Sequence, residues 1–339
     1  MRGTIALMHT TLISTKSSRQ WQGIPAIERA ANGRLWSAFF SGGPKEPDAD
    51  NYILLTTNEG DGRSWADPWP VVDPPGRTRA YDPALWHDPS GRLWLFYNQA
   101  NLEERDFSVW AMTCEDSHSP APTWSEPRRI ELGVPFAFRL NKPTVLSTGE
   151  WLLPVPWARS APEGWFVGPG QLQGVALSAD AGASWSFHGA IEAPNWALEN
   201  MIVERRDGKL WMLIRTGAGV LWESFSSDRG RTWTESAPTG IVNPGVRFFI
   251  RRLASGRLLL INTPNPKART SLFAYLSDDD GAAFGPGLLL DGRERVSYPD
   301  AVQTPGGEIY AMHDCDRGGP GEIVLNVFTE EEILAASPR

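Results

Sequence analysis

A four-residue pattern recurs six times in these 339 residues, and it limits the possible folds more than any other feature of the chain. GRLW stands at 33–36 and again at 91–94. GEWL follows at 149–152, GKLW at 208–211, GRLL at 256–259 and GEIY at 307–310. The glycines are 58, 58, 59, 48 and 51 residues apart. Each closes a turn (ANG, PSG, STG, RDG, ASG, PGG) and opens an alternating apolar run such as RLWLFYNQ at 92–99 or KLWMLIRT at 209–216. A turn followed by such a run is a hairpin signature. A unit of about fifty residues holds about four short strands, and one such sheet cannot bury both of its faces alone. Six units stacked around an axis can. The chain therefore reads as all-β, a six-bladed β-propeller in a single domain spanning 1–339.

A second motif follows the first within the units. SADAGASW at 178–185, SSDRGRTW at 226–233 and SDDDGAAF at 277–284 share the order hydroxyl, Asp, Gly, aromatic. Degenerate copies stand at TTNEGDGRSW (56–65) and TCEDSHSPAPTW (113–124). The carboxylate is suited to accept backbone N–H groups of a tight turn, the glycine to supply a positive φ, and the ring to pack under the blade. These aspartates read as architecture and are poor catalytic candidates. TEEEILAA at 329–336 reads as a short helix with acidic residues in its first turn, where the helix dipole favours them.

The net charge of −8 offers no basic stripe to displace counterions, so nucleic acid is not an expected partner. No apolar run is long enough to span a membrane. The segment MRGTIALMHTTLI lacks the apolar core and cleavage site of a secretory leader, so the expectation is cytoplasmic. Cys114 and Cys315 are too far apart for a metal motif, and HDCDRG at 313–318 reads as a turn after a strand. The five histidines show no ligand spacing, and no phosphate-binding loop, dinucleotide glycine pattern or GxSxG is present. No metal and no cofactor are expected. Sixteen tryptophans suit a carbohydrate-handling protein, although blade packing also accounts for many.

The innermost strands of a propeller line a funnel, where polar residues have few structural reasons to stand. On that ground the candidates are Gln22, Glu46, Arg79, Asp82, Arg139, Lys142, Glu199, Arg215, Arg247, Arg269, Tyr298 and Asp300. The repeats and the aspartate turns together resemble the sialidase (neuraminidase) superfamily, also called BNR-repeat proteins. ENMIVERRDGKLWMLIR (199–215) resembles the segment that carries the catalytic Glu and a clamp Arg, which implies Glu199 and Arg215. ARTSLFAYLSDDDG (268–281) resembles the segment of a further clamp Arg, implying Arg269, and VSYPDAV (296–302) resembles the place of the nucleophile, implying Tyr298.

The resemblance departs at two places. The family's Phe-Arg-Ile-Pro is here WQGIP (21–25), with Gly23 where the first clamp arginine belongs, and Arg19 and Arg79 are the candidates to replace it. The acid is normally an Asp, whereas SGGPKEPDADNY (41–52) offers Glu46, Asp48 and Asp50. Glu46 is favoured, since it follows an apolar strand and precedes a proline.

The chemistry is coherent. A sugar with a carboxylate on its anomeric carbon is held by paired guanidiniums. That carboxylate repels an anionic carboxylate nucleophile, so a phenol assisted by a neighbouring Glu is the better attacker. The resulting expectation is an exo-acting glycoside hydrolase that releases a terminal acidic sugar. Tyr298 is the nucleophile, Glu199 its base and Glu46 the acid. Arg215, Arg269 and Arg247 form the clamp. Lys142, Asp82, Arg79, Asp300 and Gln22 complete the substrate-binding set. The expected partner is a carbohydrate. Two alternatives stay open: a polysaccharide lyase in which Tyr298 abstracts a proton beside a uronate, and a non-catalytic carbohydrate-binding propeller.

Overall fold

The computed structural model describes residues 8–138, 141–161, 164 and 170–336. Arg139 therefore lies outside the described residues. Six antiparallel sheets form the blades of a β-propeller. In blade 1 the strands are Gln22–Arg29, Leu35–Ser41, Tyr52–Asn58 and Trp69–Val72, ordered from the axis outward. Blade 2 runs Arg79–His87, Leu93–Asn101, Asp106–Cys114 and Arg128–Arg129, and blade 4 runs Ala197–Glu204, Leu210–Thr216, Val220–Ser226 and Ala237–Val242. Blade 5 is Phe249–Arg252, Leu258–Asn262, Thr270–Ser277 and Leu288–Glu294. Blade 3 has a divided inner strand: Phe136–Ala137 and Thr144–Val145 both pair with Trp151–Ala158, outside which lie Gln171–Ser178 and Ser186–Ile191.

Both ends of the chain build blade 6. Its inner strands are Val296–Gln303, Ile309–Cys315 and Glu322–Phe328, and its outermost strand is His9–Ser14, paired antiparallel to Glu322–Phe328. Backbone hydrogen bonds therefore close the ring. Second strands such as Leu35–Ser41, Leu210–Thr216 and Ile309–Cys315 are buried along their whole length, because neighbouring blades cover both faces. The alternation visible in the sequence is carried instead by partly exposed strands such as His9–Ser14.

The six glycine turns join first to second strands and share one hydrogen-bonding scheme. Ala30 N–H donates to Arg34 C=O at 2.8 Å and Gly33 N–H to Ala30 C=O at 2.9 Å. In blade 6 Thr304 and Glu308 repeat the first bond at 2.8 Å, and Gly307 and Thr304 the second at 3.0 Å. The repeat glycines hold φ between +80° (Gly208) and +100° (Gly33), which a side chain disfavours.

The aspartate turns join third to fourth strands. In blade 4 the Ser226 hydroxyl donates to Asp228 at 2.9 Å and accepts from Gly230 N–H at 2.9 Å, while Asp228 accepts from Thr232 N–H at 2.8 Å. Blade 3 repeats this with Ser178, Asp180, Gly182 and Ser184, and blade 5 with Ser277, Asp279, Gly281 and Ala283. The degenerate copies work by substitution. Asn58 replaces the hydroxyl beside Asp61 in blade 1, and the Cys114 thiol donates to Asp116 in blade 2. Blade 6 has no place for this turn, because its fourth strand comes from the N-terminus. There the chain enters the helix Glu330–Leu334, capped by Thr329 and Glu332.

The two motifs meet between blades. The residue three after the repeat glycine faces the aspartate turn of the next blade at every seam except that of blades 5 and 6, where no such turn exists. A Cβ on Gly182 would lie 2.8 Å from Trp94, one on Gly281 2.2 Å from Trp211, and one on Gly62 3.2 Å from Tyr310. Trp36 instead meets Trp124 edge-on at 5.8 Å and donates its indole N–H to Ser117 C=O at 2.9 Å. Because strands alternate in direction, both motif turns lie on one face of the ring. The loops between second and third strands, and the links between blades, lie on the other.

Two outcomes follow from these contacts. Gly281→Ala combines a clash with Trp211 and a residue at φ +89°, and thermal unfolding is expected to show a loss of about 2–4 kcal/mol. Thr232's hydroxyl and N–H, then Ser226, hold the Asp228 carboxyl at about 2, below its ordinary 3.8. That stabilisation is present above the ordinary value and is lost as pH falls through the depressed one. The gap in melting temperature between wild type and Asp228→Asn should therefore close between pH 4 and pH 2.

Candidate active site

Three of the inner strands break their pairing near the loop face at an X-Pro step. Register slips fall between Gly23 and Ala26, Tyr81 and Ala84, and Ser297 and Asp300. Proline has no N–H for the ladder, and Pro25, Pro83 and Pro299 sit in these slips. The residues before them, Ile24, Asp82 and Tyr298, take φ of +58°, +48° and +55°. Bulges of this kind redirect side chains. A fourth slip, between Ala197 and Asn200, contains Glu199.

Tyr298 is 3 % exposed, and among the described residues four guanidiniums stand around it. Their Cζ atoms lie 5.6 Å (Arg215), 5.2 Å (Arg247), 5.6 Å (Arg269) and 4.6 Å (Arg317) from its ring centre. Arg215 Nη1 donates to Glu199 Oε2 at 2.7 Å and to the Tyr298 hydroxyl at 3.1 Å, so one nitrogen joins the carboxylate to the phenol. Arg215 Nε donates to Gly245 C=O at 2.8 Å, which fixes the fork. Glu199 is fully buried, and its Oε1 lies 3.7 Å from Arg247 Nε. A carboxylate so enclosed needs both cations to offset its lost hydration.

Arg317 was not among the sequence candidates. It lies in the loop after the second strand of blade 6, and its Nη1 donates to Glu46 Oε2 at 2.5 Å. Its Nε is 3.7 Å from Asp314 Oδ2. Burial opposes the Arg317 charge, but Glu46 and Asp314 outweigh it and hold the group above the usual arginine range. Asp314 is itself pinned, accepting from Ile24 N–H at 2.8 Å and the Ser297 hydroxyl at 2.7 Å.

The vacancy at Gly23 now has an explanation. A Cβ at Gly23 would lie 2.3 Å from Arg317 Cδ and 2.7 Å from its Cγ. The stem of Arg317 runs through the space that a side chain at 23 would need. Blade 6 thus supplies a guanidinium where blade 1 lacks one.

Neither replacement expected from sequence is among the guanidiniums against the Tyr298 ring. Arg19 donates to Gln22 Oε1 at 2.6 Å and to Thr15 C=O at 2.9 Å. Arg79 is stacked on Tyr81, 4.0 Å from Cζ to ring centre, and is 2 % exposed. Gln22 donates to Gly321 C=O at 2.6 Å and ties blade 1 to a loop of blade 6.

Lys142 and Asp300 also need correction. Lys142 Nζ lies 3.0 Å from Asp300 Oδ2 and 3.6 Å from Glu28 Oε2, and it donates to Ala301 C=O at 3.2 Å and to Ile27 C=O. Asp300 also accepts from Ile27 N–H at 2.8 Å. These groups bind blades 1, 3 and 6 to one another below the tyrosine. A buried lysine among two carboxylates and two carbonyls is spent on the fold, not on a sugar. Asp82 is buried, and its charge helps to hold Arg317 in its ionised form.

A cavity of about 560 Å³ opens on the loop face, lined by Trp21, Glu46, Arg269, Ser297 and Arg317 among others. Arg269 differs from its neighbours. Among the described residues no carboxylate lies within ion-pairing distance of it, and burial first, then Arg317 and Arg215, push it below the usual arginine range. A larger cavity of about 680 Å³, beside Trp211, Phe225 and Tyr275, lies at the seam of blades 4 and 5 and holds none of these groups. Arg317 and Asp314 were missed because HDCDRG reads as a turn after a strand with no ligand spacing, and such a turn gives no sign of facing the axis. The repeat itself carried a hint: Arg215 and Asp314 both stand seven residues after their glycines, Gly208 and Gly307.

The family of BNR repeat-like domains matches residues 33–311. No curated protein matches the chain. Solved structures share the fold. A protein of unknown function from Dyadobacter fermentans superposes with a TM-score of 0.77 at 16 % identity, covering 95 % of this chain and 99 % of that one. A Hadza microbial sialidase gives 0.76 at 16 %, covering 94 % and 67 %. The intramolecular trans-sialidase from Ruminococcus gnavus, in complex with oseltamivir carboxylate, gives 0.73 at 14 %, covering 96 % and 98 %.

The reassignment of Lys142 has a measurable consequence. Lys142→Met leaves Asp300 and Glu28 buried without their cation. Chemical denaturation should show a loss of about 3–5 kcal/mol, where a lysine used only for substrate would leave stability unchanged.

Proposed function

The chain belongs to the family of BNR repeat-like domains, and on that premise we propose that it is a sialidase-like exo-glycosidase acting on a terminal acidic sugar. The observation that carries this reading is the single Arg215 nitrogen shared by the Glu199 carboxylate and the Tyr298 hydroxyl, within a ring of four guanidiniums. A concentration of positive charge beside a phenol suits an anionic substrate more than a neutral one. The sialidase folds among the solved neighbours support the same class.

In the proposed reaction the Tyr298 oxygen attacks the anomeric carbon and its proton passes to Glu199. The bond to the leaving oxygen breaks as Glu46 protonates that oxygen. Water then attacks the same carbon, Glu46 takes its proton, and Tyr298 departs and recovers its own from Glu199. Two displacements at one carbon retain its configuration. Arg269, which faces the cavity, and Arg215 and Arg247 hold the sugar carboxylate by charge-assisted bonds.

The test is turnover of aryl glycosides of several acidic sugars. Tyr298→Phe should lower kcat by about a thousandfold or more while the melting temperature and binding of the free sugar acid are kept. Unchanged turnover in that variant would remove Tyr298 from the chemistry.

A further inference from the structure

The proposed acid and the displaced guanidinium are the same ion pair, and that poses a chemical problem. An acid must arrive carrying a proton. Glu46 instead accepts from Arg317 at 2.5 Å, which is the work of a carboxylate anion. The two are reconciled if something takes the place of Glu46 on Arg317.

The geometry shows which partner is able to leave. Asp314 is held by Ile24 N–H and the Ser297 hydroxyl, and it belongs to the second strand of blade 6. Glu46 lies in the loop between Leu35–Ser41 and Tyr52–Asn58 and lines the cavity beside Arg269. Side-chain exposures of 16 % for Arg317 and 11 % for Glu46 keep the pair within reach of a ligand, whereas Asp314 is wholly enclosed. An incoming carboxylate that reaches Arg269 is thereby brought to the Arg317 guanidinium.

Building on the acidic-sugar reading above, we infer that the substrate carboxylate replaces Glu46 on Arg317, and that Glu46, once released, takes up a proton and becomes the acid. Arg317 is thus both an anion-binding group and the lock on the acid. The protons balance. Glu46 gains one from solvent on binding, gives it to the leaving oxygen as that bond breaks, and receives one from the attacking water. An uncharged sugar cannot displace Glu46 and leaves it ionised, so the site selects acidic sugars at the chemical step as well as in binding.

Calorimetry with N-acetylneuraminate and glucuronate, with glucose as the neutral control, tests this at pH 5 in two buffers of different ionisation enthalpy. Wild type should take up protons on binding the acid, and Glu46→Gln should take up none. Glu46→Gln should also bind the acid about tenfold more tightly, because a competing anion has been removed. Arg317→Met should weaken binding about tenfold or more, and adding Glu46→Gln to it should change nothing further. Arg269→Met should weaken binding in every background. Melting temperatures identify any variant that has failed to fold, and wild-type proton uptake decides the question without a variant. Binding that depends on Arg269 but shows no proton uptake and no effect of Glu46→Gln would overturn the exchange and leave the acidic-sugar reading standing. Failure of wild type and every variant to bind either acid would overturn both.

Discussion

The contact on which this ring depends is a flat ring or leucine of one blade lying against a glycine in the next. No blade can bury its sheet alone, and the seam must be closed six times around the axis. At four of the seams the residue three after the repeat glycine is pressed against a glycine of the following blade, and Gly62, Gly182 and Gly281 lack a Cβ because an indole or phenol already stands there. The aspartate turn presents that glycine, with its carboxylate satisfying the N–H groups of the turn. The two repeated motifs are therefore the two halves of one joint.

Consigning both motifs to one face frees the other. Connections on the loop face carry no packing duty of that kind, so they are able to hold charge. Four guanidiniums around one tyrosine would repel each other in a dry pocket, and Glu199, Glu46 and Asp314 offset three of them. Arg269 stays without a carboxylate among the described residues and faces the cavity. That placement makes Arg269 a fitting receptor for one anion. A second buried cluster, Lys142 with Glu28 and Asp300, uses the same physics to bind blades together.

Much of the fold was legible because glycine and aspartate act locally. A positive φ or a turn carboxylate leaves the same mark wherever it occurs, so six units, five aspartate turns and a short acidic helix at 329–336 could be read in order. Glu199, Arg215, Arg247, Arg269 and Tyr298 were singled out in the sequence and stand together in space. Lys142, Asp300, Gln22 and Arg79 were singled out on the same ground, that a polar group in a buried strand wants a partner. That ground says nothing of whether the partner is a ligand or the chain itself. For Lys142, Asp300 and Gln22 it is the chain.

The sequence by itself determined the number of blades and the turns that separate their strands, because each of these rests on residues a few positions apart. Which charges meet at the centre was decided only by tertiary structure. Gly23 and Arg317 are 294 positions apart, and no local pattern records that the stem of one fills the space beside the other. Electrostatics and steric exclusion act through space, so the partner of an arginine is settled only when the last blade meets the first.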